Sequence, residues 1–222
     1  KYDKSRSLEL LRIGSGNPNA EFRDGQEEAI ELIVKNRGRL LVVQKTGWGK
    51  SFVYFISTML LREGGLGPSV LVSPLLSLMR NQIAAAKRMG LTAITFNSSI
   101  SNEEKEEAKE LWENGEADIV LVSPEEFSKD RFKEDFLKNS PLQPSMLIID
   151  EAHCISDWGH DFRPEYRLIE RALRDFPINL RVIATTATAN NRVIEDIQGL
   201  LGKEYKTLRG NLNRESLILD AI

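Results

Sequence analysis

The sequence is nearly without cysteine. Cys154 stands alone among 222 residues, which excludes an internal disulfide and a metal site built from several cysteines, and points to a reducing compartment. Long apolar runs are also missing. Nothing is long enough to span a bilayer, and the charged N-terminal stretch has no signal-peptide core. The expected location is therefore intracellular with no membrane partner: cytoplasmic and nucleoid-associated in a bacterium, nuclear in a eukaryote. A basic excess is lacking too. The net charge is -3 and the isoelectric point is near 5.6, which argues against a surface that coats nucleic acid broadly but allows a groove that grips a few phosphates. There is no internal repeat and no low-complexity tract. What is present is ordinary for a globular domain, with 41% hydrophobic and 28% charged residues and enough length for one sizeable core.

Apolar, β-prone runs at Leu40–Val43, Val70–Val72, Thr92–Phe96, Ile119–Val122, Met146–Ile149 and Leu180–Ala184 alternate with helical patterns. Helices are expected over Lys1–Leu11, from Gln26 to about Lys35, over Phe52–Leu61, from Ser73-Pro74 to about Met89, from Ser101 to about Asn114, over Tyr166–Asp175 and up to about Leu200. Gly14–Asn19 reads as a loop. Ser101 with Glu104 forms a capping box, and Ser123-Pro124-Glu125-Glu126 places serine at the N-cap, proline at the first position and glutamate at the third. The strands are continuous apolar runs without alternation, which predicts an α/β fold with a mostly parallel sheet and helices on both faces. In such sheets ligands bind beyond the carboxyl ends of the strands. Gln44–Ser51, Ser73-Pro74, Ser123-Pro124, Asp150-Glu151 and Thr186–Thr188 all fall there, so a single edge would carry every candidate site.

The stretch Gln44-Lys45-Thr46-Gly47-Trp48-Gly49-Lys50-Ser51 has the strand–turn–helix setting of a phosphate-binding loop, although glutamine stands where the usual pattern opens with glycine. Glycines let backbone N–H groups face phosphates, and the helix N-terminus adds partial positive charge. Lys50 would reach the β- and γ-phosphates and Ser51 would ligate Mg²⁺. Read blandly, the stretch is a glycine turn at the start of an ordinary helix. Asp150-Glu151 ends another buried run. In a nucleotide hydrolase, Asp150 would hold Mg²⁺ and Glu151 would act as general base; alone, the pair would be a solvated acidic turn. His153 would relay between the γ-phosphate and a second site or satisfy a local carbonyl. Trp158 and Phe162 could stack on bases, with Arg163 adding cation–π or phosphate contact, or the rings could pin their loop to the core. The two Ser-Pro junctions, at Ser73 and Ser123, are well-capped helix starts that a nucleic-acid backbone could also use. Thr186-Ala187-Thr188 reads as a polar turn whose hydroxyls could bridge the acids to a substrate.

Taken in order, Phe22-Arg23-x-x-Gln26, Thr46-Gly47-x-Gly49-Lys50-Ser51, Val72-Ser73-Pro74-Leu75-x-Ser77-Leu78, Asn97-Ser98-Ser99, Val122-Ser123-Pro124-Glu125, Asp150-Glu151-Ala152-His153 and Thr186-Ala187-Thr188-Ala189 resemble the first motor domain of superfamily 2 helicases, and specifically the RecQ family of DNA helicases. The unbroken run from Asp150 to Tyr166 is the most specific part. Departures are Lys45 and Trp48, where many relatives have proline and glycine, Asp157 in place of a common glutamine, and the lack of an aromatic-glycine pattern before Phe22. The resemblance implies a RecA-like P-loop NTPase domain over residues 1–210 and the start of a linker at 211–222. It implies ATP and Mg²⁺, with Arg23 and Gln26 reading adenine and Thr46, Gly47, Trp48, Gly49, Lys50 and Ser51 holding the nucleotide. Ser73, Pro74, Asn97 and Ser123 would lie along a DNA strand. Trp158, Phe162 and Arg163 would couple single-stranded DNA to hydrolysis, and His153, Thr186 and Thr188 would transmit it. Implied partners are single-stranded and forked DNA and a second RecA-like domain of the same full-length chain, which would supply arginines for hydrolysis. These residues alone are thus expected to bind nucleotide weakly and hydrolyse it poorly. The alternatives are an RNA helicase, or a nucleotide-gated binding module that does not unwind.

Overall fold

A computed structural model describes residues 1–222 apart from 37, 139, 177–178, 188–189, 203–204, 212–213 and 222, with 175 and 211–221 described by backbone only. The order of elements is α1 (Lys4–Ser15), α2 (Gln26–Val34), β1 (Arg39–Val43), α3 (Lys50–Glu63), β2 (Ser69–Val72), α4 (Arg80–Arg88), β3 (Ala93–Phe96), α5 (Asn102–Glu113) and β4 (Ile119–Val122). Then follow α6 (Pro124–Phe127), α7 (Asp130–Phe132), β5 (Met146–Ile149), α8 (Glu165–Asp175), β6 (Arg181–Thr186), α9 (Asn191–Leu201), β7 (Tyr205–Asn211) and β8 (Arg214–Ala221).

The strands form one sheet in the order β3-β4-β2-β5-β6-β1-β7-β8. All neighbours from β3 to β7 pair in parallel, and β8 runs antiparallel to β7. Parallel neighbours need crossovers, and the helices that make them cover both faces. Alternate strand residues feed opposite layers, as the two-residue period requires. Leu40, Val42, Leu71, Ile148 and Ile183 pack with Ile30, Ile33 and Phe55 of α2 and α3. Leu41, Val43, Val72, Ile149 and Ala184 pack with Trp112, Phe127, Tyr166 and Ile197 of α5, α6, α8 and α9. This two-sided burial is why the strands read as unbroken apolar runs. Among the described residues no helix is long and apolar enough to cross a membrane.

Several elements differ from the sequence reading, among them β8, a strand of the sheet where a linker was expected. Helix α1 continues through Gly14 and Ser15, and Gly16 caps it at φ 68°; a side chain at Gly14 would strike Met89, so the glycine is there for close packing and not for a loop. The helix after Ser73-Pro74 begins only at Arg80, after a 3₁₀ turn at Leu76–Leu78. Strand β7 was not foreseen, because it buries Tyr205, Thr207 and Leu208 among polar residues and has no continuous apolar run.

Candidate nucleotide and nucleic-acid site

The phosphate-loop candidate leaves β1 at Gln44, whose N–H donates to the Thr186 carbonyl at 3.1 Å and so ties the loop's origin to the end of β6. The Gln44 side chain lies over Gly210 of β7, where any Cβ would collide with it. This accommodates a glutamine at the position that usually opens with glycine. Gly47 and Gly49 take φ of 92° and 94°, a region costly for residues with a Cβ. Thr46 is exposed and Ser51 half-buried in the first turn of α3. The Lys50 amine donates to the Gln44 and Lys45 carbonyls at 2.8 and 3.4 Å. Burial lowers its pKa, while the charges of Asp150 and Glu151 act in the opposite direction. Lysine and acids therefore share one rim of the sheet, with only β6 between their strands.

Two residues expected to hold the nucleotide are placed otherwise. Trp48 is 4% exposed, its indole N–H donates to the Asp24 carbonyl at 3.1 Å, and its backbone N–H donates to Lys45 at 3.2 Å. The ring docks the loop on the core instead of facing a ligand. Gln26 is also buried; its Oε1 accepts from the Arg23 N–H at 2.7 Å and its Nε2 donates to the Trp48 and Gly49 carbonyls at 2.9 and 3.2 Å. Both amide hydrogens are spent on the loop, so Gln26 clamps it, while Arg23 is exposed.

Asp150 directly follows β5, with both carboxylate oxygens engaged. Ser73 donates to Oδ2 at 2.9 Å and Thr185 to Oδ1 at 2.7 Å, while the Tyr166 hydroxyl donates to its main-chain carbonyl at 2.7 Å. The expectation that Ser73 faces a DNA strand is corrected here: it is fully buried and its hydroxyl serves Asp150. Thr185 and Tyr166 were missed as site residues. The available signal was a threonine interrupting a buried run, since a buried hydroxyl requires a partner.

Glu151 sits at φ 51°, ψ 46°, a left-handed conformation that costs a non-glycine residue roughly 1–3 kcal/mol. The bend swings its carboxylate onto the rim. Burial first, then the Asp150 charge, raise its pKa to about 7, against the pull of Lys50. His153 Nδ1 lies 3.4 Å from Glu151 Oε2 and 3.1 Å from Thr186 Oγ1; burial lowers its pKa and favours the neutral imidazole.

Beyond this rim, Trp158 and Phe162 are 62% and 40% exposed, so these aromatics do not pin their loop to the core. Arg163 lies 3.5 Å from Asp161 and donates its N–H to the Cys154 carbonyl at 2.9 Å. Burial raises the Cys154 thiol to about 12, which leaves it inert. Pro74 is half-buried. The Ser123 hydroxyl accepts from the Glu126 N–H at 3.3 Å as the N-cap of α6. Asn97 Oδ1 accepts from the Ser99 N–H and hydroxyl at 2.8 and 2.6 Å. Thr188 lies outside the described residues.

The profile of DEAD/DEAH box helicases matches residues 23–197. The ATP-dependent DNA helicase RecQ of Bacillus subtilis is 35% identical over 206 residues, which is 91% of this chain and 33% of that protein. RecQ of Haemophilus influenzae is 35% identical over 195 residues, 88% of this chain and 30% of its own length. The chain thus spans about one third of these relatives. Among solved structures, a hypothetical ATP-dependent RNA helicase from Sulfolobus tokodaii superposes with a TM-score of 0.66 at 19% identity, covering 92% of this chain and 56% of that one. The Hef helicase domain of Pyrococcus furiosus gives 0.61 at 22%, covering 84% and 38%. At such identities these two speak for the fold alone. With the family profile matched across residues 23–197 and its relatives of RecQ type, the chain belongs to the DEAD/DEAH box helicase family.

Proposed function

We propose that this chain is the ATP-binding motor domain of a DNA helicase, in which ATP hydrolysis drives movement along a single strand and separation of a duplex. The observation that carries the reading is the convergence of the Lys50 amine with the Asp150 and Glu151 carboxylates on one rim, beside a loop that exposes Trp158. Relatives named as ATP-dependent DNA helicases support DNA over RNA.

The residues present fit a magnesium–triphosphate. A Cβ at Gly47 would meet nothing within 4 Å, so the loop has an open side, and the donor set of hydroxyl and carboxylate oxygens suits a hard cation. Mg²⁺ would be held by Ser51 and Asp150, directly or through water, and supplies charge neutralisation at the phosphates. Thr46, Gly47, Gly49 and Lys50 would hold the phosphates, and Arg23 the base. Ser73 and Thr185 keep Asp150 oriented. Glu151, with a pKa near working pH, takes the proton of the attacking water. His153 touches both Glu151 and Thr186, which supports a role in passing the state of the acids to β6. Pro74, Asn97, Ser123, Trp158, Phe162 and Arg163 would line the single strand. A second motor domain of the full-length protein would close the site and contribute arginines.

The test is ATPase and forked-duplex unwinding by the full-length protein, with single-stranded DNA and RNA in competition. DNA should stimulate turnover, and Lys50→Ala should abolish both activities. Unwinding retained by that variant overturns the role of Lys50. Equal stimulation by RNA overturns the choice of DNA, and DNA-stimulated ATPase without strand separation would indicate a nucleotide-gated binding module.

A further inference from the structure

We infer that Arg192 and Asp196 of α9 are positioning residues that hold Trp158 ready to stack on an unstacked nucleobase, one of them gripping the ring and the other its backbone. The inference deepens the reading above and rests on it.

An indole that is 62% exposed on a glycine-containing loop needs restraint if it is to serve as a stacking platform, because ordering it on binding would cost affinity. Two independent contacts supply that restraint. The Arg192 guanidinium lies over the Trp158 ring, 4.2 Å from its centroid. Asp196 accepts from the Ser156 hydroxyl at 2.6 Å, and the same Ser156 oxygen accepts the Trp158 N–H at 3.1 Å. Ser156 is fully buried and Asp196 half-buried, so this second link is partly shielded from water. Arg192 and Asp196 are four residues apart and therefore share one face of α9.

The place of Arg192 is not explained by helix stability. It sits in the first turn of α9, after the Asn190 cap, where the helix dipole opposes a cation. Among the described residues it has no carboxylate within 4.0 Å. Its guanidinium covers one face of the indole and leaves the other for a base. It also brings positive charge to where a strand's phosphates would pass. Helix α9 follows β6, whose Thr185 and Thr186 touch Asp150 and His153, so the ring and the acids are fastened to one continuous segment.

The sequence itself provides a probe. Trp48 and Trp112 are 4% and 1% exposed, so acrylamide quenching of the 222-residue chain reports mainly on Trp158. Arg192→Ala should increase quenching and weaken binding of an oligodeoxythymidylate by about two- to fivefold, the size expected of an exposed cation–π contact. Arg192→Lys, which keeps the cation, should recover part of the loss. Asp196→Ala should change quenching in the same direction. Unchanged quenching in Arg192→Ala, or equal or tighter oligonucleotide binding, overturns the inference; tighter binding would make Arg192 a competitor of the base. The parent reading is separable. If Trp158→Ala leaves oligonucleotide affinity unchanged, base stacking itself fails. If Trp158→Ala weakens binding and Arg192→Ala does not, only the present inference fails.

Discussion

The hydroxyl of Thr185 donates to Asp150 Oδ1 at 2.7 Å, so the last buried residues of β6 hold the acid that follows β5. Ser73, at the end of β2, takes the other oxygen at 2.9 Å. Three neighbouring strands thus orient one carboxylate. Thr185→Val keeps the shape and removes the donor. It should cost about 1–3 kcal/mol of stability, the range for a buried polar group that loses its partner. Thermal unfolding checks this, and turnover by the full-length protein should fall with little change in ATP affinity. Ser73→Ala should act in the same way, and its effect on DNA affinity should be small because the hydroxyl is buried.

Glu151 supplies a pH signature. Its pKa is raised from 4.5 to about 7, chiefly by burial. The unfolded chain releases this proton near 4.5, while the folded chain keeps it until about 7. The folded state therefore binds more protons in that window, and stability falls as pH rises through it, then stays at the lower level above 7. Glu151→Gln removes the penalty. It should flatten denaturant-unfolding stability between pH 4.5 and 7 and stabilise the chain at pH 8 by about 1–3 kcal/mol. The same substitution should lower ATP hydrolysis by roughly 10²–10⁴-fold, the usual contribution of a general base, with nucleotide binding retained.

Gln26 and Arg23 should separate two roles that the sequence merged. Gln26→Ala breaks the bonds to the Trp48 and Gly49 carbonyls and should destabilise the domain by about 1–3 kcal/mol while raising KM for any triphosphate. Arg23→Ala should leave thermal stability unchanged and weaken only the preference for ATP over other triphosphates. If Gln26→Ala instead leaves stability intact and erases base preference, the clamp is the wrong description.

These cases show where the sequence was legible. A parallel sheet buried on both faces writes itself as apolar runs, so the runs at Leu40, Val70, Ile119 and Met146 were readable, as was the single edge where parallel pairing gathers the candidate residues. The rim of Lys50, Asp150 and Glu151 was readable for the same reason. What could not be read was the direction of individual side chains. Ser73 looked like part of a solvent-facing junction and faces Asp150; Gln26 and Trp48 looked like ligand contacts and face the loop. Local spacing places a residue near a site, but only packing decides whether its polar atoms reach the ligand or the scaffold. Strand β7 escaped because polar residues break its pattern.

That strand yields the last prediction. Gly210 of β7 lies under the Gln44 side chain, and Gln44 begins the phosphate loop, with its N–H on Thr186 and its carbonyl on the Lys50 amine. A methyl at position 210 must displace the amide end of the Gln44 side chain, a flexible group that can swing aside while the loop backbone stays. Gly210→Ala should therefore lower nucleotide affinity only modestly and cost less than about 1 kcal/mol, below the usual range for overpacking because the displaced atoms end a flexible side chain. Shortening the partner should undo the damage. In the double variant Gln44→Gly/Gly210→Ala the clash is gone, and nucleotide affinity should match that of Gln44→Gly alone, giving a small double-mutant coupling equal to the loss in Gly210→Ala. Additive losses in titrations with a fluorescent nucleotide would mean that β7 supports the sheet without shaping the loop.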